Sequence, residues 1–206
     1  MDIAQVKITK WPAIIVANYR TGSTVYATHL ANLNNVPCYL EPWHPARKRD
    51  ENWGPHVNGI KQNFYDHYHS NDNRYILKFM PDQINKLTPY DRLLNSNCFK
   101  IKLYREDEID SIVSNYVGTM RKKWWTTSNE FPKKYTLEID DNFILISISI
   151  ITQNNFWLHS LDIEYDETIT YESLGTISAS KFIKTHMPDN IADIRNRVIE
   201  IYKNLY

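Results

Sequence analysis

A short polar segment near the amino terminus has the residue types of an anion-binding loop. It follows the apolar run 13–17 and reads Tyr19-Arg20-Thr21-Gly22-Ser23-Thr24. A glycine lets backbone N–H groups approach an anion closely, and the start of a following helix adds free N–H groups and a favourable dipole. Hydroxyl groups add donors, and the Arg20 guanidinium has a fork that suits phosphate oxygens. These features predict a phosphate-binding turn between a strand and a helix.

This turn differs from the loop of metal-dependent NTP hydrolases. It lacks the first glycine and the Gly-Lys pair of that motif. A kinase-like phosphotransferase would also need a lysine in the loop and acidic metal ligands at strand ends, and neither is well placed. The structural alternative is an ordinary turn capped by Ser23.

A second set of polar residues follows the predicted strand 99–104. Arg105 stands at its carboxyl end, and Ser114 lies on the helix predicted after it. In an open parallel sheet this end of a strand lies on the ligand-binding edge. Ser114 would share an anion with Arg105 only if that helix passes close by. The alternative is a surface Arg105 paired with Glu106 or Asp107.

Three segments together resemble sulfotransferases that use 3′-phosphoadenosine-5′-phosphosulfate (PAPS), particularly the bacterial and carbohydrate-type branch. Residues 20–24 resemble the family's 5′-phosphosulfate loop, and residues 103–107 with 113–116 resemble its 3′-phosphate motif. Residues 169–174, which read Ile-Thr-Tyr-Glu-Ser-Leu, resemble the family's TYEDL segment. The three segments occur in the family's order and span most of the chain.

The resemblance implies a PAPS-dependent enzyme that transfers a sulfuryl group to a hydroxyl acceptor, with no metal expected. Arg20 and the N–H groups of Thr21, Gly22, Ser23 and Thr24 would hold the 5′-phosphate, while Arg105 and Ser114 would hold the 3′-phosphate. The acceptor is open among a sugar, a lipid headgroup, a small alcohol and a tyrosine. The adenine end has three candidate residues: Lys181, Lys184 and Arg195.

A base is useful in this reaction, because the acceptor hydroxyl must lose its proton. Glu41, in Leu40-Glu41-Pro42, resembles a Glu-Pro pair of bacterial sulfotransferases whose glutamate is a proposed base. His44 and His56 in the same loop are alternatives with a suitable unperturbed pKa. The loop's aromatic residues would either line an acceptor pocket or pack the loop onto the domain: Trp43, Trp53, Phe64, Tyr65 and Tyr68.

The composition excludes several other classes of protein. The 206 residues carry 24 Lys and Arg against 24 Asp and Glu, and no long basic stripe of a nucleic-acid-binding protein is present. The apolar run 13–17 is too short for a signal segment or a membrane span, so we expect a cytoplasmic protein. Cys38 and Cys98 are expected to be reduced and buried.

The hydrophobic pattern predicts a single α/β domain over residues 1–206. Strands are predicted at 13–17, 36–40, 75–80, 99–104 and 168–171. Helices are predicted at 23–34, 82–94 with an interruption at Pro89, 106–125, 142–161 and 191–206. Strands that alternate with helices indicate a three-layer fold with a mostly parallel sheet and a P-loop-like nucleotide site. A nucleotide-binding protein without catalysis is the non-enzymatic alternative.

Overall fold

The computed structural model describes residues 6–42, 73–84, 90–121, 134–174 and 187–206. The strands in these ranges are β1 (Ala13–Ala17), β2 (Cys38–Leu40), β3 (Ile76–Phe79), β4 (Phe99–Tyr104) and β5 (Glu167–Thr170). The helices are α1 (Ser23–Asn34), α2 (Tyr90–Leu94), α3 (Glu108–Met120), α4 (Asp141–Ser160) and α5 (Ile191–Leu205). Short 3-10 turns at Pro81–Gln83 and Glu172–Leu174 follow β3 and β5.

All five strands are parallel and lie in the order β2-β3-β1-β4-β5. β1 occupies the centre, and each of its five residues is buried. A strand covered on both faces has no polar side, which explains its unbroken apolar sequence. The α/β class and the parallel sheet predicted from the sequence are therefore confirmed.

Helices cover both faces of the sheet. Alternate residues of β1 point to opposite faces, so Ala13, Ile15 and Ala17 pack in one cluster with α1, and Ile14 and Val16 pack in another with α2. Leu158 of α4 joins the second cluster. A third cluster is formed where α3, α4 and α5 meet, and its members include Ile112, Tyr116, Ile148, Ile151, Ile194 and Val198.

Helix α4 has the length and start that the sequence predicts. The Asp140 side chain accepts hydrogen bonds from the backbone N–H groups of Asn142 at 2.9 Å and Phe143 at 3.3 Å, which is a side-chain N-cap. Asp107 is the N-cap of α3, and its side chain accepts a hydrogen bond from the Asp110 N–H at 2.8 Å. This helix therefore begins at Glu108, two residues later than predicted. None of the helices in the described ranges is long and apolar enough to cross a membrane.

The connections after β1 and β4 run in opposite directions along the sheet. From β1 the chain passes through α1 to β2 on one side, and from β4 it passes through α3 and α4 to β5 on the other. β1 and β4 are hydrogen-bonded neighbours, with Ala17 beside Leu103. Such a divergence leaves a crevice at the carboxyl ends of the two strands, where open parallel sheets bind their ligands.

Candidate functional site

The β1–α1 turn is held by its own polar side chains. The buried Asn18 accepts from the Tyr19 N–H at 2.6 Å through its side-chain oxygen, and its backbone carbonyl accepts from the Thr21 hydroxyl at 2.8 Å. Arg20 and Gly22 both adopt left-handed backbone angles, with φ of 63° and 68°. Gly22 is the N-cap of α1, and it makes no side-chain capping hydrogen bond. The first backbone N–H groups of α1 are therefore not occupied by a capping side chain. The alternative of a turn capped by Ser23 is therefore wrong.

Gly22 is required by space as well as by its backbone angle. A Cβ atom at this position would lie 3.1 Å from two ring carbons of Tyr171, which follows β5. Tyr171 continues the parallel ladder, because its N–H donates to the Tyr104 carbonyl at 2.8 Å. The segment that follows β5 is thus packed directly against the β1–α1 turn.

Ser114 is hydrogen-bonded by Arg20, whereas the sequence predicted that it would share an anion with Arg105. The Nε atom of Arg20 donates to Oγ of Ser114 at 2.8 Å, and Ser114 is buried on α3. Burial lowers the pKa of the Arg20 guanidinium, and the positive charge of Arg105 lowers it further. Two arginines that repel each other in a partly buried crevice favour the binding of an anion between them.

Arg105 contacts residues that were not predicted as its partners from the sequence. It donates to Asp110 at 2.9 Å, and its guanidinium lies 4.5 Å from the centroid of the Tyr171 ring. Glu172 forms an ion pair with the Arg105 Nε atom at 3.7 Å, a distance that is too long for a hydrogen bond. The expected alternative partners, Glu106 and Asp107, are not the ones that Arg105 contacts in the described residues.

The Nε atom of Arg105 is a buried donor with no hydrogen-bond acceptor among the described residues. An unmade hydrogen bond of a buried charged group is costly, so a ligand oxygen would stabilise this atom. Arg195 of α5 helps to fix Asp110, the partner of Arg105, because its side chain forms ion pairs with Asp110 at 3.1 Å and Asp107 at 3.4 Å. Arg195 is thereby occupied with these carboxylates, and Lys181 and Lys184 lie outside the described residues.

Glu41 lies at the carboxyl end of β2 in a buried ion pair. Its carboxylate accepts from Lys78 Nζ at 2.5 Å and from Gln83 Nε2 at 2.9 Å. The side chains of Lys78 and Glu41 are 1% and 13% exposed. Glu41 also has a left-handed backbone, with φ of 54°, and its N–H donates to the Lys78 carbonyl at 2.7 Å. The alternative bases His44 and His56 lie outside the described residues, as do the five aromatic residues of the loop.

A polar chain connects the end of β1 with three helices. The Asn18 amide donates to Asn155 of α4, and the Asn155 amide donates to Glu108 of α3. Glu108 also accepts from the Tyr202 hydroxyl of α5 at 2.6 Å. On the other side of the turn, the Tyr19 hydroxyl donates to Asp82 at 3.0 Å, and burial followed by the Asp82 charge raises the pKa of Tyr19. The turn is therefore held directly by Ser114 of α3 and Asn155 of α4, and it is linked to α5 only through Glu108.

Three residues of this site were missed in the sequence. Lys78 carried a usable signal, because a lysine inside the otherwise apolar strand 75–80 must be buried and therefore paired. Tyr171 lies in the segment 169–174 that resembles the TYEDL segment, but neither it nor Asn18 carried a signal for its contacts, since these depend on which strands are neighbours. No group of three or more His, Cys, Asp or Glu side chains suitable for a metal ion occurs in the described ranges.

Compared with known proteins, the chain matches no protein-family model and no curated protein sequence. The fold and the site together define a parallel α/β protein with two arginines and a serine at the divergence of β1 and β4.

Proposed function

We propose that this protein binds PAPS and transfers its sulfuryl group to a hydroxyl acceptor, with a carbohydrate among the acceptors to be tested. The observation that carries the proposal is the 2.8 Å hydrogen bond between Arg20 and Ser114, with Arg105 near enough to lower the pKa of Arg20. It joins the segment that resembles a 5′-phosphosulfate loop to the segment that resembles a 3′-phosphate motif. PAPS requires two neighbouring anion subsites, whereas AMP requires one.

The residues of the crevice suit the charge changes of this reaction. The acceptor oxygen attacks sulfur, the bond from sulfur to the bridging oxygen of the 5′-phosphate breaks, and adenosine 3′,5′-bisphosphate leaves. Arg20 and the free N–H groups at the start of α1 would stabilise the charge that develops on the leaving phosphate. Arg105, whose Nε atom makes no hydrogen bond within the described residues, would hold the 3′-phosphate and so orient the nucleotide for in-line attack.

The proton of the acceptor hydroxyl would pass to Glu41 in this proposal. Lys78 and Gln83 hold the carboxylate at the end of β2. In the sheet, β2 is two positions from β1, whose following turn carries Arg20, and three positions from β4. This arrangement provides a fixed carboxylate on the same edge of the sheet as the anion site. His44 remains a second candidate for the base on the sequence argument alone.

The same ion pair favours a second candidate function, nucleotide binding without catalysis. Hydrogen bonds from Lys78 and Gln83 stabilise the ionised form of Glu41 and so weaken it as a proton acceptor. In that case the crevice would retain nucleotide while substitution of Glu41 would have no catalytic consequence.

The test is a calorimetric titration with adenosine 3′,5′-bisphosphate, with AMP and ATP as controls and without added metal. Tight binding that requires the 3′-phosphate supports the proposal and leads to an acceptor screen with labelled PAPS. Binding without transfer to any sugar, lipid headgroup, alcohol or tyrosine acceptor supports the second candidate. A preference for ATP with magnesium would contradict the sulfotransferase proposal and favour a phosphotransferase or a non-catalytic nucleotide-binding protein. No binding of any nucleotide would contradict both candidates.

A further inference from the structure

Tyr171 lies where the two proposed anion subsites meet. It is the first residue after β5, and its N–H donates to the Tyr104 carbonyl at 2.8 Å, which fixes it beside the end of β4. One edge of its ring faces Gly22, since a Cβ atom there would lie 3.1 Å from Cδ2 and Cε2 of Tyr171. The guanidinium of Arg105 lies over the ring, 4.5 Å from its centroid. A single side chain therefore contacts both the β1–α1 turn and the arginine at the end of β4.

Tyr171 is also close to the second arginine of the crevice. Burial lowers the pKa of Arg20 and the charge of Arg105 lowers it further, while Tyr171 acts on it in the opposite direction. The two guanidinium groups repel each other, so their separation depends on the neighbours that hold them. Ser114 accepts from Arg20 at 2.8 Å, and the ring of Tyr171 supports Arg105 from one face. The ring thus helps to fix where one arginine stands relative to the other.

Arg105 is held at its edge as well as on its face. Asp110 accepts from one of its terminal nitrogens at 2.9 Å, and Glu172 forms an ion pair with its Nε atom at 3.7 Å. The Glu172 carboxylate also accepts from the backbone N–H groups of Glu106 at 3.1 Å and Asp107 at 3.4 Å, which fix its position. A shift of the guanidinium toward Glu172 would shorten this ion pair into a hydrogen bond. It would then occupy a donor that a phosphate oxygen would use.

The ring holds Arg105 in a different way from the two carboxylates. An aromatic face attracts a guanidinium through its quadrupole, and this attraction increases when the pair is removed from water. The Arg105 side chain is 15% exposed, so solvent screens the contact little. A carboxylate holds an arginine and also offsets its charge, whereas a ring holds it and leaves the charge for an anion.

We propose that Tyr171 is a positioning residue that holds Arg105 at a fixed distance from the β1–α1 turn, and that it thereby makes the site selective for a nucleotide with both a 3′- and a 5′-phosphate over a nucleoside 5′-monophosphate. The inference rests on the proposed function, because it takes Arg20 and Arg105 as the two anion subsites. Tyr171 acts through Arg105, and its role requires no contact with the nucleotide.

The first experiment compares two substitutions of Tyr171 by calorimetric titration with adenosine 3′,5′-bisphosphate and with AMP. Tyr171→Leu removes the ring and should weaken binding of the bisphosphate by about tenfold, the scale of a partly desolvated cation–π contact. Its effect on AMP should be much smaller, because the β1–α1 turn keeps the hydrogen bonds of Asn18 and Thr21. Tyr171→Phe keeps the ring and should retain the wild-type ratio of the two affinities.

Tyr165→Leu is the matched control. Tyr165 also has a cation over its ring, with Lys102 at 5.8 Å, but it precedes β5 and so lies at the opposite end of that strand from Tyr171. Its replacement should leave both affinities unchanged. Urea denaturation of every variant measures its stability, since a merely structural effect would lower the affinity for both nucleotides alike.

The second experiment tests whether Tyr171 acts through Arg105. In an Arg105→Ala background, Tyr171→Leu should have no further effect on binding of the bisphosphate, because the group that the ring positions is absent. In a Glu172→Gln background, Tyr171→Leu should weaken binding less than it does in the wild-type chain, because no carboxylate at position 172 then competes for Arg105.

Three results would overturn this inference while leaving the proposed function in place: an unchanged ratio of affinities in Tyr171→Leu, an equal change in Tyr171→Phe, or a loss that adds fully to that of Arg105→Ala. A wild-type chain that binds the bisphosphate no more tightly than AMP would contradict the proposed function and this inference together.

Discussion

The Nε atom of Arg20 donates a 2.8 Å hydrogen bond to Oγ of Ser114, which lies 94 residues further along the chain. Arg20 follows β1 and Ser114 lies on the helix after β4. The two residues meet because β1 and β4 are neighbours in the sheet while their connections diverge. The bond thus joins the β1–α1 turn to α3, the two segments for which anion binding is proposed.

Replacement of the two arginines should have different effects on different nucleotides. Arg20→Ala should weaken the binding of both adenosine 3′,5′-bisphosphate and AMP by about 1–3 kcal/mol, the range for a hydrogen bond to a charged group. Arg105→Ala should weaken only the bisphosphate by a similar amount, because its proposed contact is the 3′-phosphate. Calorimetry measures both, with Arg92→Ala on the exposed surface of α2 as the control. Unchanged affinity in both variants would show that Arg20 and Arg105 do not bind the nucleotide phosphates.

Gly22→Ala should lower the free energy of unfolding through two separate effects. The left-handed backbone, with φ of 68°, costs a residue with a Cβ atom about 1–2 kcal/mol. The new Cβ atom also lies 3.1 Å from the Tyr171 ring. In a Tyr171→Ala background only the first effect remains, so the substitution should then cost less. Urea denaturation of the four proteins measures this coupling, and additive effects would show that the ring contact has no energetic consequence.

Lys78→Met should destabilise the fold strongly. It leaves the 13%-exposed Glu41 carboxylate without its cation, and breaking a buried pair in this way costs on the order of 3–5 kcal/mol. The double variant Lys78→Met with Glu41→Gln removes both charges and should recover much of that loss. Chemical denaturation measures the free energy of unfolding of each variant. If the double variant is as unstable as the sum of the single variants, the ion pair is not the reason for the loss.

Glu41→Gln separates binding from catalysis in the proposed reaction. The substitution keeps the shape of the side chain but leaves the buried Lys78 ammonium without its carboxylate, so it should lower stability while the folded variant keeps its affinity for adenosine 3′,5′-bisphosphate. Turnover with labelled PAPS and an accepted hydroxyl compound should fall, because the amide cannot take the proton. A variant with full turnover would exclude Glu41 as the base and return attention to His44.

The stability of the fold should decrease in acid partly through Asp141. The hydrogen bond from Arg197 holds the pKa of Asp141 below its ordinary value of 3.8. The native state therefore binds this proton less readily than the unfolded chain, so the stabilisation is complete above pH 3.8 and is lost as the pH falls through the lowered pKa. Asp141→Asn and Arg197→Gln should each reduce the difference between unfolding midpoints at neutral and strongly acidic pH. If the difference between the midpoints is unchanged in both variants, the Asp141–Arg197 pair does not contribute to the acid sensitivity.

The alternation of strands and helices was predictable because each element has a local signature. The unbroken apolar run of β1 indicated a strand buried on both faces, and Asp140 before an apolar segment indicated the start of α4. The start of α3 was predicted two residues early, since the choice of Asp107 as its N-cap depends on the actual path of the chain. Boundaries set by a single hydrogen bond are the features that hydrophobic periodicity resolves least well.

The turn between β1 and α1 was also predictable, because an apolar run followed by polar residues and a glycine forms a local pattern. The contacts of that turn were not. Tyr171 limits the space at Gly22, and Lys78 occupies the carboxylate of Glu41, yet both partners are distant in sequence. Which side chains meet across a parallel sheet depends on strand order, and hydrophobic patterns carry no information on strand order.

The sequence by itself determined the fold class and the position of the turn after β1. It also indicated Arg20, Arg105, Ser114 and Glu41 as candidate site residues, because these features depend on residue type and short-range spacing. Only the tertiary structure decided that Arg20 reaches Ser114, that Arg105 forms ion pairs with Asp110 and Glu172, and that Glu41 is bound to Lys78. The physical reason is that β1, β3 and β4 become neighbours only when the sheet assembles, and this assembly converts separate segments into one crevice.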